Sequence, residues 1–155
     1  MKAASSHTAA AADAEHPDSG KDFRMEVRVR YPETDPMGVV HHANFFVYFE
    51  MARVEHLRSF GVAYKDLERQ GIFFAVVKAS CHLKAPAYYD DILEVTLRLE
   101  RSSLVRVDHS YAVRRKSDAK LLAEGATVLA CLDRNFNPQP MPDRILSIFR
   151  GISPS

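Results

Sequence analysis

Within a dozen positions the chain places a carboxylate, a tight turn, two histidines and the start of a very apolar segment. The run is Glu33-Thr34-Asp35-Pro36-Met37-Gly38-Val39-Val40-His41-His42-Ala43-Asn44, and Phe45-Phe46-Val47-Tyr48-Phe49 follow directly. Such a layout sets an acid, base or nucleophile, Asp35, beside the N-terminus of a helix. The first N–H groups of a helix lack intrahelical acceptors and lie at the positive end of its dipole. They can therefore hold an oxygen that gains negative charge.

Each of these side chains also has a plainer use. Asp35-Pro36 opens a turn in which the carboxylate accepts a nearby N–H. Asn44 stands where a helix cap is expected. Glu50 precedes Arg53 by three positions, the spacing of a helical ion pair, although its place near the apolar turns also suits a supporting hydrogen bond. His41 and His42 are adjacent, and adjacent side chains seldom converge on one ion; no second histidine follows at helical spacing, so no metal is expected. Of the two, His42 is better placed to meet a substrate or Asp35. Tyr48 and Phe49 fit either the core or the lining of a substrate pocket. No Gly-x-Ser-x-Gly elbow occurs, which argues against a serine hydrolase.

The elements around this junction follow from periodicity. Phe23, Met25, Val27, Val29 and Tyr31 alternate with charged residues, predicting a half-buried strand. Successive helical residues step by about 100°, so Phe45 to Phe49 cover a whole circumference and predict a helix enclosed on every side at its start. Glu50, Arg53, Glu55, His56 and Arg58 predict a wet far end, stopped by Gly61. A second helix is expected over Ala63–Gln70. Alternation then runs from Ile72 to Asp133 in four strands, the last, Leu121–Leu132, apolar on both faces as in a sheet interior. A short helix is expected around Asp143–Phe149. Long consecutive strands with short links pair antiparallel, and one face of that sheet must cover the apolar helix. The expected class is α+β.

At 155 residues there is room for one domain and hardly for two. The expected division is a disordered tail over residues 1–22, a domain over 23–150 and a short tail over 151–155. A net charge of +1 gives no electrostatic footprint for nucleic acid or an anionic membrane, and Arg114-Arg115-Lys116 fits a solvated strand end. No apolar run is long enough to span a bilayer. Cys81 and Cys131, without a CxxC pair, are expected as small core residues in a reducing cytoplasm.

The run from Tyr31 to Asn44 resembles the signature of hotdog-fold acyl-CoA thioesterases, and more narrowly of their 4-hydroxybenzoyl-CoA thioesterase and YbgC branch. Glu50-Met51-Ala52-Arg53-Val54-Glu55 and Lys84-Ala85-Pro86-Ala87-Tyr88-Tyr89-Asp90-Asp91 are similar to that branch too. The resemblance covers roughly residues 24–149. It implies a sheet wrapped around one long helix, Asp35 as the catalytic carboxylate and the backbone amide of His42 pointing at the thioester carbonyl oxygen. Members differ at the two positions ahead of Ala43-Asn44, so the backbone role of His42 carries over more securely than a side-chain role for His41 or His42. The resemblance further implies homodimers, often paired into homotetramers, with the acyl group at the subunit interface.

A thioester carbonyl has little resonance stabilisation, and coenzyme A thiolate leaves well. Its hydrolysis needs a nucleophile or a base for water, and a donor to the oxygen that gains charge. Asp35 supplies the first, by forming a mixed anhydride or by activating water, and His42 the second. No separate cofactor is needed, since coenzyme A belongs to the substrate. His41, Asn44, Tyr48 and Glu50 are the candidate substrate-binding residues. Lys84, Arg98, Arg106, Arg114 and Arg115 are available for phosphates of coenzyme A or of an acyl-carrier protein. Two other functions suit the same fold: hydration of an enoyl thioester by a paired Asp35 and His42, and thioester binding without turnover.

Overall fold

The computed structural model describes residues 22–151. The two expected tails lie outside the described residues, apart from Asp22, which opens the first strand, and Gly151. In chain order the elements are β1 (Asp22–Arg28), a 3-10 turn (Tyr31–Glu33), α1 (Ala43–Ser59), α2 (Tyr64–Arg69), β2 (Phe73–Leu83), β3 (Ile92–Ser102), β4 (Arg106–Arg115), β5 (Leu121–Leu132) and α3 (Asp143–Phe149). Among the described residues no helix is long and apolar enough to cross a membrane.

The strands form one antiparallel sheet in the order β1-β3-β4-β5-β2. β5 is paired on both sides, as its two apolar faces predict, and β2 forms an edge. The alternation from Phe23 suggests a first strand reaching Tyr31, yet β1 ends at Arg28. Val29 still exchanges backbone hydrogen bonds with Asp90 and Asp91. The N–H of Arg30 is instead claimed by the Glu33 side chain, and the chain turns away.

α1 lies across one face of the sheet. Its buried residues are Phe45, Tyr48, Phe49, Ala52, Arg53, His56 and Leu57, a stripe at spacings of three and four along its whole length. Phe45, Tyr48, Phe49 and Ala52 pack in one cluster with Leu93, Val95, Leu97, Tyr111, Val113, Leu122 and Ala123. Leu57 belongs to a second cluster with Leu67, Val107, Leu129, Cys131 and the apolar face of α3.

This corrects the expectation of an enclosed start and a wet end. Phe46, Val47 and Met51 are exposed in the single chain at 38%, 46% and 36%, while Arg53 and His56 near the far end are buried. Hydrophobicity alone does not say which apolar face the same chain covers. The stripe does, because only one side of a helix can lie on one sheet.

Candidate active site

The segment from Glu33 to His42 is a tight hairpin. Thr34 and Val40 form an isolated antiparallel bridge. Within it the Asp35 N–H donates to the Val39 carbonyl at 2.9 Å, and the Gly38 N–H donates to the Asp35 carbonyl at 2.9 Å. Gly38 has φ +77°, a left-handed value that a residue without Cβ adopts cheaply. Outside the bridge the His41 N–H donates to the Glu33 carbonyl at 2.9 Å, and Val40 is tied to the connection between β2 and β3 through its N–H bond to the Ala87 carbonyl at 2.8 Å. The hairpin therefore sets Asp35 near its tip and delivers His42 to the start of α1.

Asp35 is half-buried. Its Oδ1 accepts the Met37 N–H at 2.9 Å, the local turn bond that its sequence context predicts. Among the described residues nothing donates to Oδ2, so one carboxylate oxygen stays available. The turn use and a chemical use are compatible.

At the helix start the donors divide as follows. The Ala43 N–H donates to His41 Nδ1 at 3.2 Å. The N–H groups of Asn44 and Phe45 donate to the carbonyls of His41 and His42 at 2.9 and 3.2 Å. The His42 N–H has no acceptor among the described residues, at the helix end where the dipole favours negative charge. His42 itself has φ −53° and ψ −33°, already helical.

The two histidines are exposed and their rings stack, with centroids 4.1 Å apart. His41 Nδ1 takes the Ala43 N–H, the first backbone donor of α1. His41 thus does the capping expected of Asn44. Asn44 lies inside the first turn, and its Nδ2 reaches back to the Glu33 carbonyl at 2.9 Å. No hydrogen bond joins Asp35 to the His42 ring.

The remaining candidates lie elsewhere. Tyr48 is 1% exposed and its hydroxyl donates to Glu33 Oε1 at 2.9 Å, so it is core and its polar end is in use. Burial and the neighbouring Glu33 carboxylate push its phenol well above the usual range. Glu50 is exposed and forms no ion pair with Arg53. The expected helical pair fails because Arg53 sits on the buried stripe, where its guanidinium donates to the Tyr111 hydroxyl at 3.1 Å. The Tyr111 hydroxyl is in turn 2.7 Å from Thr127 Oγ1.

Most of the proposed phosphate ligands are already matched. Arg98 pairs with Asp22, Arg106 with Asp108, Arg115 with Asp91 and Asp118, and Lys84 with Glu124. Arg114 forms no ion pair among the described residues; its guanidinium donates to the Ala119 carbonyl. Among the described residues no group of three or more His, Cys, Asp or Glu is placed to hold a metal. Clefts open beside His56 and Phe149 and between α2 and α3, and neither is lined by Asp35 or His42.

The residue given no role in advance is Glu33. It is 6% exposed. Burial works to raise its carboxyl, but the Arg30 N–H, the Arg30 guanidinium and the Tyr48 hydroxyl together hold it below the ordinary value. The one local signal was Arg30 three positions earlier, the reach of a capping interaction.

The thioesterase-like superfamily matches residues 29–149 of this chain. A protein of Aquifex aeolicus described as a putative esterase is 37% identical over 128 residues, spanning 83% of this chain and 98% of that one. The acyl-CoA thioester hydrolase YbgC of Escherichia coli O157:H7 is 32% identical over 130 residues, spanning 83% and 96%. Among solved structures, the 1,4-dihydroxy-2-naphthoyl-CoA thioesterase Slr0204 from Synechocystis is 25% identical and superposes with a TM-score of 0.81, over 86% of this chain and 99% of that one. A five-stranded antiparallel sheet laid over one long helix, a helix mouth with an unspent N–H and these matches agree: the chain belongs to the thioesterase-like superfamily and has its hotdog fold.

Proposed function

We propose that this enzyme hydrolyses acyl-CoA thioesters, releasing a carboxylic acid and free coenzyme A. Asp35 attacks or activates the attacking water, and the His42 N–H receives the carbonyl oxygen. The observation that carries the reading is the pairing of an unspent N–H at the mouth of α1 with an unspent carboxylate oxygen, Oδ2, on the hairpin that feeds the helix. On the covalent route the carboxylate adds to the carbonyl carbon, the thiolate leaves and water hydrolyses the anhydride. On the other route Asp35 takes a proton from water as the water oxygen adds to the same carbon, and the thiolate then leaves. Both pass through an oxyanion, and one donor to such an oxygen is worth about 100- to 1,000-fold in rate.

The acyl group is proposed as aryl or short-to-medium, in keeping with the naphthoyl-CoA thioesterase among the similar structures. The proposed working unit is a dimer, with pairs of dimers as the larger assembly. Support comes from the apolar face of α1 at Phe46, Val47 and Met51, together with the unpaired edge of β2, where Val76 and Val77 are exposed. A second copy covering that face would enclose the helix as its sequence predicts and close a pocket beside Asp35. Sedimentation of the chain as a monomer would remove this part of the reading. A cytoplasmic location is proposed on the two free cysteines.

The test is thiol release from a panel of acyl-CoA and acyl-carrier-protein thioesters, run beside Asp35→Asn. The amide oxygen of Asn can still accept the Met37 N–H, so the hairpin is expected to survive while most turnover is lost. Unchanged release by Asp35→Asn removes Asp35 from the mechanism. A change in enoyl absorbance without thiol would point to hydration instead, a route that lacks its Asp35–His42 hydrogen bond here.

A further inference from the structure

We infer that Glu33 is a positioning residue for hydrolysis, a buried clamp that holds the mouth of α1 in register with the Asp35 hairpin. The inference rests on the thioesterase reading of the site and adds to it a residue that touches no substrate.

Glu33 joins three parts of the chain at once. Toward β1, its Oε1 accepts the Arg30 N–H at 3.0 Å and its Oε2 accepts Arg30 Nε at 2.8 Å. Toward α1, its Oε1 also accepts the Tyr48 hydroxyl at 2.9 Å, and its carbonyl accepts Asn44 Nδ2 at 2.9 Å. Toward the returning limb of the hairpin, the same carbonyl accepts the His41 N–H at 2.9 Å. Five donors thus converge on one residue whose side chain is 8% exposed.

The position of these bonds gives them their consequence. Asn44 and Tyr48 are four residues apart, one turn along one face of α1, so two grips fix both the rotation and the height of the helix against the hairpin. The His41 N–H grip lies one peptide ahead of the N–H that is left unspent. Asp35 follows Glu33 by two residues, across the Thr34–Val40 bridge. Nucleophile and oxyanion donor therefore share one anchor.

The chemistry of the anchor explains why a carboxylate stands there. Oε1 takes two donors and Oε2 a third, which only an acceptor on both oxygens can do. The Arg30 guanidinium offsets the negative charge, so the clamp adds little repulsion to an oxyanion forming nearby. In Glu33→Gln the amide oxygen can keep the Arg30 N–H and Tyr48, but the amide NH2 then meets Arg30 Nε, donor against donor. The clamp loosens without opening a cavity.

The test is steady-state thiol release with the full chain, comparing wild type, Glu33→Gln and Tyr48→Phe, with thermal melts of each. A misplacement of about 1 Å between reacting groups costs about 100-fold in rate. Glu33→Gln is expected to lower kcat by about that factor with KM little changed, and Tyr48→Phe by less. The two should be non-additive when combined, because they loosen one contact. A residue that only supports the fold would lower the melting temperature and leave the kcat of the folded fraction alone. That result, or wild-type kcat in Glu33→Gln, overturns the inference. Should Glu33→Gln not fold, Tyr48→Phe decides: a lower kcat at an unchanged melting temperature supports the clamp, and an unchanged kcat overturns it. Wild-type chain that releases no thiol from any substrate overturns the thioesterase reading and the clamp together, so the two failures are distinct.

Discussion

The Phe49 ring of α1 lies directly on the bare backbone of Gly125 in β5. A Cβ on Gly125 would stand 2.3 Å from Phe49 Cε2, 2.4 Å from Cζ and 2.9 Å from the Ser80 carbonyl oxygen. Phe49 is fully buried, and its ring stacks on that of Tyr111, the neighbour of Gly125 across β4 and β5, with centroids 4.3 Å apart. The ring thus lies on two strands, and the missing Cβ sets how closely the helix approaches the sheet. Because α1 carries the unspent His42 N–H at its mouth, this contact in the middle of the core also sets the height of the candidate site.

Gly125→Ala should therefore destabilise the fold and disturb turnover together. Contacts this short leave no room for a methyl, so it pushes α1 outward or bends β5, an overpacking cost of about 1–3 kcal/mol. Urea unfolding measures it, and the Gly125→Ala/Phe49→Leu double variant should recover part of the loss through non-additivity. Wild-type stability in Gly125→Ala would show that the seat of the helix is not set here.

The elements that sequence reading placed well are those governed by local pattern. β3 and β4 alternate because each buries one face, and α3 has the bounds its short apolar segment predicts. Gly61 follows the last residues of α1 at φ +74°, as a helix stop should. The candidate site is legible as a motif but not as a set of bonds. Glu33 and Arg53 look like surface charges in sequence, and both are buried because their partners come from afar: Tyr48 is 15 positions from Glu33, and Tyr111 is 58 from Arg53. No local window contains either pair. The outward apolar face of Phe46, Val47 and Met51 is not legible in sequence for a related reason. Hydrophobicity marks surface to be covered, but it does not distinguish coverage by the same chain from coverage by another.

The oxyanion role of the His42 backbone can be separated from any role of its imidazole by comparing two variants. His42 has φ −53°, within the range of proline, and its N–H has no acceptor among the described residues. Proline is also well tolerated where a helix begins. His42→Pro deletes that donor together with the imidazole that stacks on His41, and His42→Ala deletes the imidazole alone. Thiol release is expected to fall about 100- to 1,000-fold, with melting close to wild type. His42→Ala keeps the N–H and should lose far less. Equal losses in the two variants would assign the effect to the imidazole rather than to the backbone.

His109 makes stability depend on pH in a window where carboxylates are silent. It is 2% exposed, and its ordinary value of 6.5 is pushed down to about 3. Burial is the main cause, and the nearby Arg53 and His56 add to it while Asp108 opposes. Because the folded value lies below the unfolded one, the unfolded chain takes up a proton first as pH falls. Stability is full above about pH 6.5 and is lost progressively toward pH 3. Between pH 6.5 and 5 one such group costs about 2 kcal/mol, and buried His56, also shifted downward, adds to the slope. Glu33 and Asp108 are held below the ordinary carboxylate range, so their contributions fade only at lower pH. His109→Phe keeps an aromatic ring against Tyr111 and Phe149 and removes the proton site. Urea unfolding at pH 7 and pH 5 should show wild type losing about 2 kcal/mol more than this variant. The same loss in both would mean that His109 is protonated in the folded chain, which its surroundings oppose.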